Sequence, residues 1–379
     1  MYPERDKAPN RAGTAGPGRK GQPRKGIPVT QRLLIVTTAR NEGPFLLEWL
    51  AHHIGAGASD ILVYSNDCAD GTDALLDALA AAGVLTHVAH QAPAGQSVQW
   101  QALRAAWAHP LRKAADWVLG IDLDEFVNIH VSGHRFADLI AALPQGTDAI
   151  ALPWRFFGDN GVYGFADRPV TTQFTAAMAP DCGYPVSATF FKSLFRSAGP
   201  FERLGVHRPR HKPGARPVWV DGSGTPLPSA IAADPARLSL MGREGARGLA
   251  EINHYAVKSA ESFMLKRARG LPNRASKPVD LAYWVERNFN TVEDRSIAAM
   301  APATAAALAR LRAIPGVPAL HEAAVAWHRA AFQRVVAEPV EHALYAHLLL
   351  AGGSRSIAPD LRAHVFAGYH RALRAAAAG

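Results

Sequence analysis

Several features that define common protein classes are scarce or missing in this sequence. Only two of its 379 residues are cysteine, Cys68 and Cys182, so neither a disulfide framework nor a cysteine-built zinc site is available. No stretch approaches the roughly 18 uninterrupted apolar residues of a spanning helix, and the nearest, 343–352, is too short. The N-terminal residues lack the apolar core of a secretory signal. These absences predict a reduced, cytoplasmic protein.

The composition indicates a folded chain with a basic extension. The sequence is 48% hydrophobic and 19% charged, with a formal net charge of +9. Residues 1–30 are rich in Gly and Pro and hold seven Lys or Arg against two acids, which predicts a flexible basic tail. The remainder is only weakly basic, so nucleic acid is not an expected partner. The tail indicates either peripheral contact with an anionic inner-membrane surface or no partner, and liposome co-sedimentation with and without residues 1–30 separates the two.

From residue 31 the sequence alternates strand-like and helix-like segments. Apolar runs typical of buried strands occupy 33–38, 61–64, 84–88 and 117–121. Helical spacing of apolar residues occupies 44–54, 72–79 and 99–115. This alternation predicts an α/β fold with a mainly parallel sheet flanked by helices. Ligands bind outside the carboxyl ends of such strands, so residues 39–42, 65–72 and 122–125 are expected to line one crevice.

The second half of the chain predicts two further regions. Residues 147–255 contain short apolar runs broken by many Gly and Pro, which predicts β-hairpins and long loops that close over the crevice. From about Pro302 the spacing is helical, and Pro339 and Pro359 suit first helical turns. These helices are expected to pack against the core without chemistry of their own. The predicted domains are the tail 1–30, an α/β domain 31–295 and a helical region 296–379.

The strongest candidate for chemistry is Asp122-Leu123-Asp124 at the end of the fourth predicted strand. In an extended chain, residues i and i+2 point to the same side, so both carboxylates would face one ligand. Two carboxylates suit Mg²⁺ or Mn²⁺, which bind such oxygens together with substrate phosphates and assist the departure of a diphosphate. Asp-x-Asp occurs about once by chance at this composition, so its position at a strand end is what favours a functional role.

Four segments, in this order, resemble GT-A glycosyltransferases of the family 2 and family 92 type. They are Thr38-Ala39-Arg40-Asn41-Glu42, Asn66-Asp67-Cys68-Ala69-Asp70-Gly71-Thr72, Asp122-Leu123-Asp124-Glu125-Phe126, and Ile252-Asn253-His254-Tyr255 with Lys258-Ser259 and 266–270. The third is similar to the family's metal-binding DxD element in its DxDEF form. The resemblance covers about 33–290 and implies a GT-A (Rossmann-like) fold with a C-terminal α-helical appendage. It also implies hexosyltransferase-like activity in bacterial surface-polysaccharide or glycoconjugate synthesis.

The resemblance further implies a nucleotide-diphosphate sugar donor, a saccharide or lipid-linked acceptor, and Mn²⁺ or Mg²⁺. Carried over by position, the donor contacts are Ala39, Arg40, Asn41, Glu42, Asn66, Asp67 and Asp122. Asn66 stands where family 2 usually has an Asp before Gly-Ser, so either it or Asp67 is the contact. The implied metal ligands are Asp122, Asp124 and His254. Asp70 and Thr72 are interpreted instead as turn and helix-cap residues.

An inverting transfer, which the resemblance implies, needs a base within hydrogen-bond reach of the acceptor hydroxyl. Candidates are Asp159, Asp181 and His207. The glycine-flanked Asp159 is the first choice, with a purely structural turn as the alternative. Lys192 is a candidate to hold the diphosphate charge, or else belongs to a solvated strand face.

Two other classes of function remain open. A nucleotidyltransferase that forms nucleotide sugars would carry a Gly-rich basic loop after the first strand, whereas residues 38–43 hold one Gly and one Arg. It would release pyrophosphate from a nucleoside triphosphate and a sugar phosphate. A non-catalytic carbohydrate- or nucleotide-binding module would bind sugar without metal and turn over no donor, which calorimetry with and without metal detects.

Overall fold

The alternation of strands and helices predicted for the first part of the chain is present in the computed structural model. The structure describes residues 31–91, 96–270, 278–356 and 358–378, apart from several side chains of the last helix. The predicted tail, 1–30, lies outside the described residues. The strands are β1 (Leu33–Ala39), β2 (Asp60–Ser65), β3 (Thr86–Ala89), β4 (Trp117–Gly120), β5 (Glu125–Ile129), β6 (Ala149–Phe156), β7 (Ala176–Ala177), β8 (Phe191–Arg196), β9 (Phe201–Arg203), β10 (Arg210–His211), β11 (Trp219–Asp221), β12 (Ala250–His254) and β13 (Val292–Glu293). The helices are α1 (Gly43–Gly55), α2 (Thr72–Ala81), α3 (Val98–Ala108), α4 (Pro110–Ala114), α5 (Phe136–Ala142), α6 (Val170–Gln173), α7 (Ser229–Ala232), α8 (Ala260–Arg269), α9 (Leu281–Val285), α10 (Ala301–Arg312), α11 (Val317–Val336), α12 (Pro339–Ala351) and α13 (Pro359–Ala378).

The main sheet has the strand order β3-β2-β1-β4-β8-β6-β12-β5, and β11 also pairs with β6. Strands β3, β2, β1 and β4 are parallel, and β6 is parallel to both β11 and β12. Only β8 and β5 run against their neighbours. The predicted α/β fold with a mainly parallel sheet is therefore confirmed. Because β8 is antiparallel to both β4 and β6, the carboxyl ends of β1, β2, β4, β6 and β12 lie at one edge.

The two faces of the sheet are covered by different layers. Along β1 the side chains alternate, so Leu33 and Ile35 join the core beneath α1 while Leu34 and Val36 join the core beneath α3. A third, smaller core lies between α8, α9, α11 and α12 and includes Phe263, Trp284 and Phe332. Because both faces are covered, the polar segments that follow β1, β2 and β4 remain at the sheet edge.

Two predictions about local structure need correction. The helix predicted over 99–115 is divided into α3 and α4, because Pro110 cannot continue the hydrogen-bond ladder and holds His109 in an extended conformation with ψ 141°. The region 147–255 does not form a separate set of covering hairpins. Its strands β6, β8, β11 and β12 extend the main sheet, while β9 with β10 and β7 with β13 form two small antiparallel ribbons.

Residues Gln31–Gly379 form one compact unit. Helices α12 and α13 begin at Pro339 and Pro359, as the sequence predicts, since proline suits the first turn. No single helix in the described part of the chain is long and apolar enough to cross a membrane. The segments Ser296–Arg312 and Val317–Val336, which are bent by 101° at the break between them, could together cross a membrane, judged by their length and composition alone.

Candidate active site

The acid motif lies at the shared carboxyl edge of the sheet, but the chain turns there rather than remaining extended. The Glu125 N–H donates to the Asp122 carbonyl at 3.1 Å, and the Trp49 indole N–H contacts the carbonyls of Asp122 and Glu125 at 3.1 and 2.8 Å. The turn sends the carboxylates of Asp122 and Asp124 to different neighbours. The chain is therefore not extended at the motif, as the expectation of one shared ligand assumed, and that shared ligand stays a prediction.

Asp122 is held between a helix and a strand. Gln99 on α3 donates from Nε2 to its Oδ1 at 2.9 Å, and Lys192 on β8 donates from Nζ to its Oδ2 at 2.9 Å. One third of the Asp122 side chain is exposed, whereas that of Lys192 is 1% exposed. Burial opposes the charge of Lys192, but Asp122 and Glu125 raise the pKa of its ammonium above the ordinary value. The cation beside Asp122 is therefore permanent.

Glu125, the fourth residue of the motif, is fully buried beneath this pair. Its Oε2 accepts from the Asp122 N–H at 2.9 Å and lies 3.3 Å from Lys192 Nζ. Burial raises the pKa of Glu125 to about 8, against the opposing effect of Lys192. Glu125 therefore fixes both the backbone and the cation that position Asp122.

Asp124 contacts a different lysine. Lys266 on α8 donates from Nζ to its Oδ2 at 2.7 Å and to the Ala256 carbonyl at 2.7 Å. His254, the last residue of β12, places Nε2 at 3.5 Å from the other oxygen, Oδ1. Burial opposes the charge of Asp124, but Lys266 and His254 hold the pKa of this carboxyl well below its usual range. Asp124 is therefore ionised at neutral pH.

The predicted metal ligands fit a divalent cation only in part. Oδ1 of Asp124 and Nε2 of His254 are about as far apart as two ligands of one cation with bonds of about 2.1 Å. The Nδ1 atom of His254 is buried, and the described residues supply no hydrogen-bond acceptor to it that would orient the ring. Among the described residues, no group of three His, Cys, Asp or Glu side chains could hold a metal ion. The pair fits a cation that takes its other ligands from a substrate.

A narrow cleft of about 10 Å³ lies beside Asp122. Its lining includes Thr37 and Thr38 of β1, Gln99, Lys192, and the loop residues Gly205 and Val206. Thr37 Oγ1 and Gln99 Oε1 are buried and have no hydrogen-bond partner among the described residues. Since unpaired buried acceptors are costly, these two atoms suit a bound polar group.

A wider cavity of about 330 Å³ lies on the Lys266 side of the acid motif. Its lining comes from Arg40–Phe45, from the segment after β12 together with α8, and from α11. The α11 side chains at this cavity include Trp327, His328 and Arg334. Helix α11, one of the helices expected to pack against the core without chemistry of their own, therefore forms one wall of this cavity.

Five of the predicted donor residues line two different cavities. Arg40, Asn41 and Glu42 line the wide cavity, whereas Asp122 and Lys192 line the narrow cleft. The remaining predicted contacts, Ala39, Asn66 and Asp67, are absent from both linings. Ala39 is buried and its carbonyl accepts from the Asn66 N–H at 3.1 Å, while Asn66 Nδ2 donates to the exposed Asp67 at 3.1 Å.

The loop after β2 instead supports α11. Asp70 accepts hydrogen bonds from the Thr72 N–H at 2.9 Å, from the Gly43 N–H at 3.0 Å and from His328 Nε2 at 3.0 Å. Burial opposes its charge, yet these hydrogen bonds lower the pKa of Asp70. Asp70 and Thr72 thus hold the turn as expected, but the N-cap of α2 is Gly71, without a side-chain cap, and Asp70 also joins the loop to α11.

The candidate bases lie in different surroundings. Asp159 is 5% exposed, and its Oδ1 accepts from Asn290 Nδ2 at 2.9 Å and from the Gly161 N–H at 3.2 Å, an arrangement that holds the turn after β6. His207 donates from Nδ1 to the Phe191 carbonyl at 3.1 Å, and its ring contacts Trp154, which also packs on His254. Burial, with a further effect of Lys192, lowers the pKa of His207 to about 3. His207 is thus neutral beside the site, with Nε2 as an acceptor.

Sequence reasoning assigned no role to three further cations near the acid turn. Lys258, Lys266 and Arg269 all line the wide cavity. Lys266 and Arg269 are three residues apart on α8 and so share one helical face. Arg269 pairs with Glu42 and donates to the Arg40 carbonyl at 2.8 Å. That basic i, i+3 spacing directly after the strand bearing His254 was the available signal.

A mainly parallel sheet flanked by helices, with an acid motif after β4 and a histidine at the end of β12, is the α/β arrangement expected for a GT-A protein. Residues 37–177 match the model of glycosyltransferase family 92. A glycosyltransferase family 92 protein from Ricinus communis is 27% identical over 155 residues, which are 38% of this chain and 26% of that protein. The chain thus spans about a quarter of that relative's length. The resemblance drawn from the motifs is confirmed for this segment.

Several solved structures are also similar in part. S. aureus TarS 1–349 is 16% identical with a TM-score of 0.28, over 44% of this chain and 48% of that one. Glucosyl-3-phosphoglycerate synthase from Mycobacterium tuberculosis is 14% identical with a TM-score of 0.24, over 33% of this chain and 44% of that one. Another structure of that synthase contains Mn²⁺, uridine diphosphate and glucosyl-3-phosphoglycerate, with a TM-score of 0.23 over the same shares of the two chains and 14% identity.

Proposed function

We propose that this protein is a glycosyltransferase that moves a sugar from a nucleoside-diphosphate donor to a hydroxyl acceptor in bacterial surface-polysaccharide or glycoconjugate synthesis. One observation carries the proposal. The segment matched by the family 92 model, 37–177, includes the acid turn 122–125 at the carboxyl edge of a parallel sheet. That edge is where α/β sheets bind their ligands, and the acids there lie between a narrow cleft and a wider cavity.

Asp122 is the residue best placed to orient the donor. Its carboxylate is partly exposed to the cleft, while Gln99 and Lys192 hold it in one position. A carboxylate fixed in this way accepts hydrogen bonds from sugar hydroxyls without losing side-chain entropy on binding. Lys192 already pairs with Asp122 and Glu125. It would therefore help to hold a diphosphate through Asp122 rather than by direct contact.

Asp124 and His254 are the residues that would hold Mn²⁺ or Mg²⁺. When bound there, the cation would offset the charge of the departing diphosphate. The chain itself supplies a second positive charge at this position, because Lys266 contacts Oδ2 of Asp124 and leaves Oδ1 directed toward His254. The nearby Lys266 ammonium also holds Asp124 in the ionised form that a metal ligand requires.

His207 is better placed than Asp159 to accept the acceptor hydroxyl's proton. Its Nδ1 proton is engaged by the Phe191 carbonyl, which leaves Nε2 free of a proton. The low pKa makes this imidazole a weak base in the free protein, so it would take the hydroxyl proton only as the hydroxyl oxygen bonds to the sugar and the nucleoside diphosphate leaves. Asp159, by contrast, already accepts hydrogen bonds from Asn290 and Gly161 within its own turn.

The test is hydrolysis or transfer with a panel of UDP-, GDP- and dTDP-sugars in Mn²⁺, comparing Asp122→Asn with the exposed control Asp73→Asn. Loss of the Asp122 charge should lower turnover by roughly 100-fold or more, since charge stabilisation in such sites is typically worth several kcal/mol. The control should match the wild type. Unchanged turnover in Asp122→Asn would refute the proposal, and pyrophosphate release from nucleoside triphosphates would favour a nucleotidyltransferase instead.

A further inference from the structure

Lys258 is a buried cation that the proposed reaction does not yet use. It is 6% exposed, follows β12 by four residues and lines the wide cavity. Its ammonium lies 4.2 Å from the centre of the Phe45 ring. Among the described residues it forms no hydrogen bond or ion pair. Burial lowers the pKa of Lys258, with Glu42 and Asp124 acting in the opposite direction. An ammonium in this state is short of an anionic partner.

The other walls of the cavity are also cationic. The described basic side chains that line it, besides Lys258, are Arg40, Lys266, Arg269 and Arg334. Among the described residues of the lining, Glu42 supplies the carboxylate. Lys266 and Arg269 are paired with Asp124 and Glu42. The guanidinium of Arg40 donates to a backbone carbonyl, that of Arg269, and Arg334 lies over the Trp327 ring. Positive charge therefore exceeds negative charge in this space.

Helix α11 closes the cavity from a part of the chain that lies outside the family 92 match. Trp327, Ala331 and Val335 provide an apolar wall opposite Leu265, and Arg334 provides a cation at the rim. His328 fixes this helix to Asp70 at 3.0 Å. The volume of about 330 Å³ is at the small end of the range for ligand pockets.

We propose that the wide cavity is a binding site for a phosphate ester, with the buried Lys258 ammonium as its central contact and α11 as its wall. A phosphate carries up to two negative charges and three acceptor oxygens, so it can satisfy several cations at once. The source of the phosphate rests on the proposed function. It is either the diphosphate of the donor or a phosphate on an anionic acceptor, and both have the chemistry that this cavity recognises.

The experiment is isothermal titration calorimetry in metal-free buffer with uridine diphosphate, glucose 1-phosphate and uncharged glucose. The variant is Lys258→Met, which keeps an unbranched apolar chain and removes the ammonium, and the matched control is the exposed Lys113→Met. We expect Lys258→Met to weaken ester binding by roughly 10- to 100-fold, the usual effect of losing a charged hydrogen bond. The control should bind like the wild type, and glucose should not bind.

Melting temperature separates a binding role from a structural one. Since Lys258 forms no ion pair with any carboxylate in the part of the chain that the structure describes, Lys258→Met should unfold at the same temperature as the wild type or higher. A second variant, Arg334→Met, changes an exposed rim residue and should weaken ester binding several-fold without affecting folding. If both variants bind the esters as tightly as the wild type does, or if neither ester binds to the wild type, the proposal is wrong.

The arms also identify the source of the phosphate. Displacement of glucose 1-phosphate by uridine diphosphate would assign the cavity to the donor. Binding of glucose 1-phosphate in saturating uridine diphosphate, with only that affinity reduced in Lys258→Met, would assign it to the acceptor. Ester binding that depends on Lys258 in a protein that hydrolyses no sugar donor would support this site while contradicting the glycosyltransferase proposal.

Discussion

The pair formed by Asp124 and Lys266 provides the most direct test of how the acid turn is held. The two side chains are 9% and 10% exposed, and Oδ2 and Nζ are 2.7 Å apart. Removing one partner of such a buried pair leaves a charge without compensation, which costs about 3–5 kcal/mol. We therefore expect Lys266→Met and Asp124→Asn each to lower the free energy of unfolding by about that amount.

The double variant Asp124→Asn/Lys266→Met should behave differently from the sum of the two. Neutral groups replace both charges, so most of the stability should return, to within about 2 kcal/mol of the wild type. Donor turnover should stay lost, because the carboxylate beside His254 is gone. Stability and activity would then separate in one protein, which shows that the acid is needed for more than folding.

Guanidinium denaturation followed by circular dichroism gives the free energies by linear extrapolation. The control is Arg267→Met on the same helix, whose pair with Glu341 is about one quarter exposed and should contribute about 1 kcal/mol or less. A loss below 1 kcal/mol in Lys266→Met would refute the reasoning. So would a double variant whose loss equals the sum of the single losses, since the two charges would then be uncoupled.

Two further predictions concern helix contacts. His52 and His53 on α1 hold Val127 of β5, since His52 Nε2 donates to its carbonyl at 2.8 Å and His53 Nε2 accepts from its N–H at 3.4 Å. Burial lowers the pKa of His52 to about 4, below the unfolded value of about 6.5. The contribution of neutral His52 to the free energy of unfolding is therefore complete above pH 6.5, and about 3 kcal/mol of it is lost as the pH falls to 4. The free energy of unfolding, measured by denaturation at several pH values in that range, should depend less steeply on pH in His52→Gln than in the wild type. His328→Leu should lower the free energy of unfolding by about 1–3 kcal/mol, because Asp70 loses a hydrogen-bond donor, and His328→Gln should lower it less. Thermal denaturation measures both losses. Equal losses in the two variants would contradict a role for this hydrogen bond.

The sheet could be predicted from the sequence because its signals are local. A run such as Leu33–Thr38, followed by a turn and a helical pattern, determines a strand without reference to the rest of the chain. The position of Asp122 at a sheet edge follows from that order alone. The split at Pro110 was also readable, since proline ends the ladder of the preceding helix.

The partners of the acids could not be predicted in the same way. Lys192 lies 70 residues from Asp122, and Lys266 lies 142 residues from Asp124. The local sequence around each lysine does not indicate which carboxylate it pairs with. The turn at 122–125 depends on a side chain of α1, the Trp49 indole, which binds two of its carbonyls. Long-range pairing of this kind is settled by packing, so residue spacing alone gave the wrong geometry for the acid pair.

The division of labour between the sheet edge and α11 has a consequence for how this protein can diversify. Trp327 and Arg334 form part of the wide cavity, but they stand on α11, which is far in sequence from the acid turn 122–125. Substitutions at these two positions would alter the size and polarity of the space offered to an incoming molecule while Asp122 and Asp124 kept their places. Homologues with different preferences should therefore differ first along this helix, and grafting its inward-facing residues should transfer preference from one protein to another.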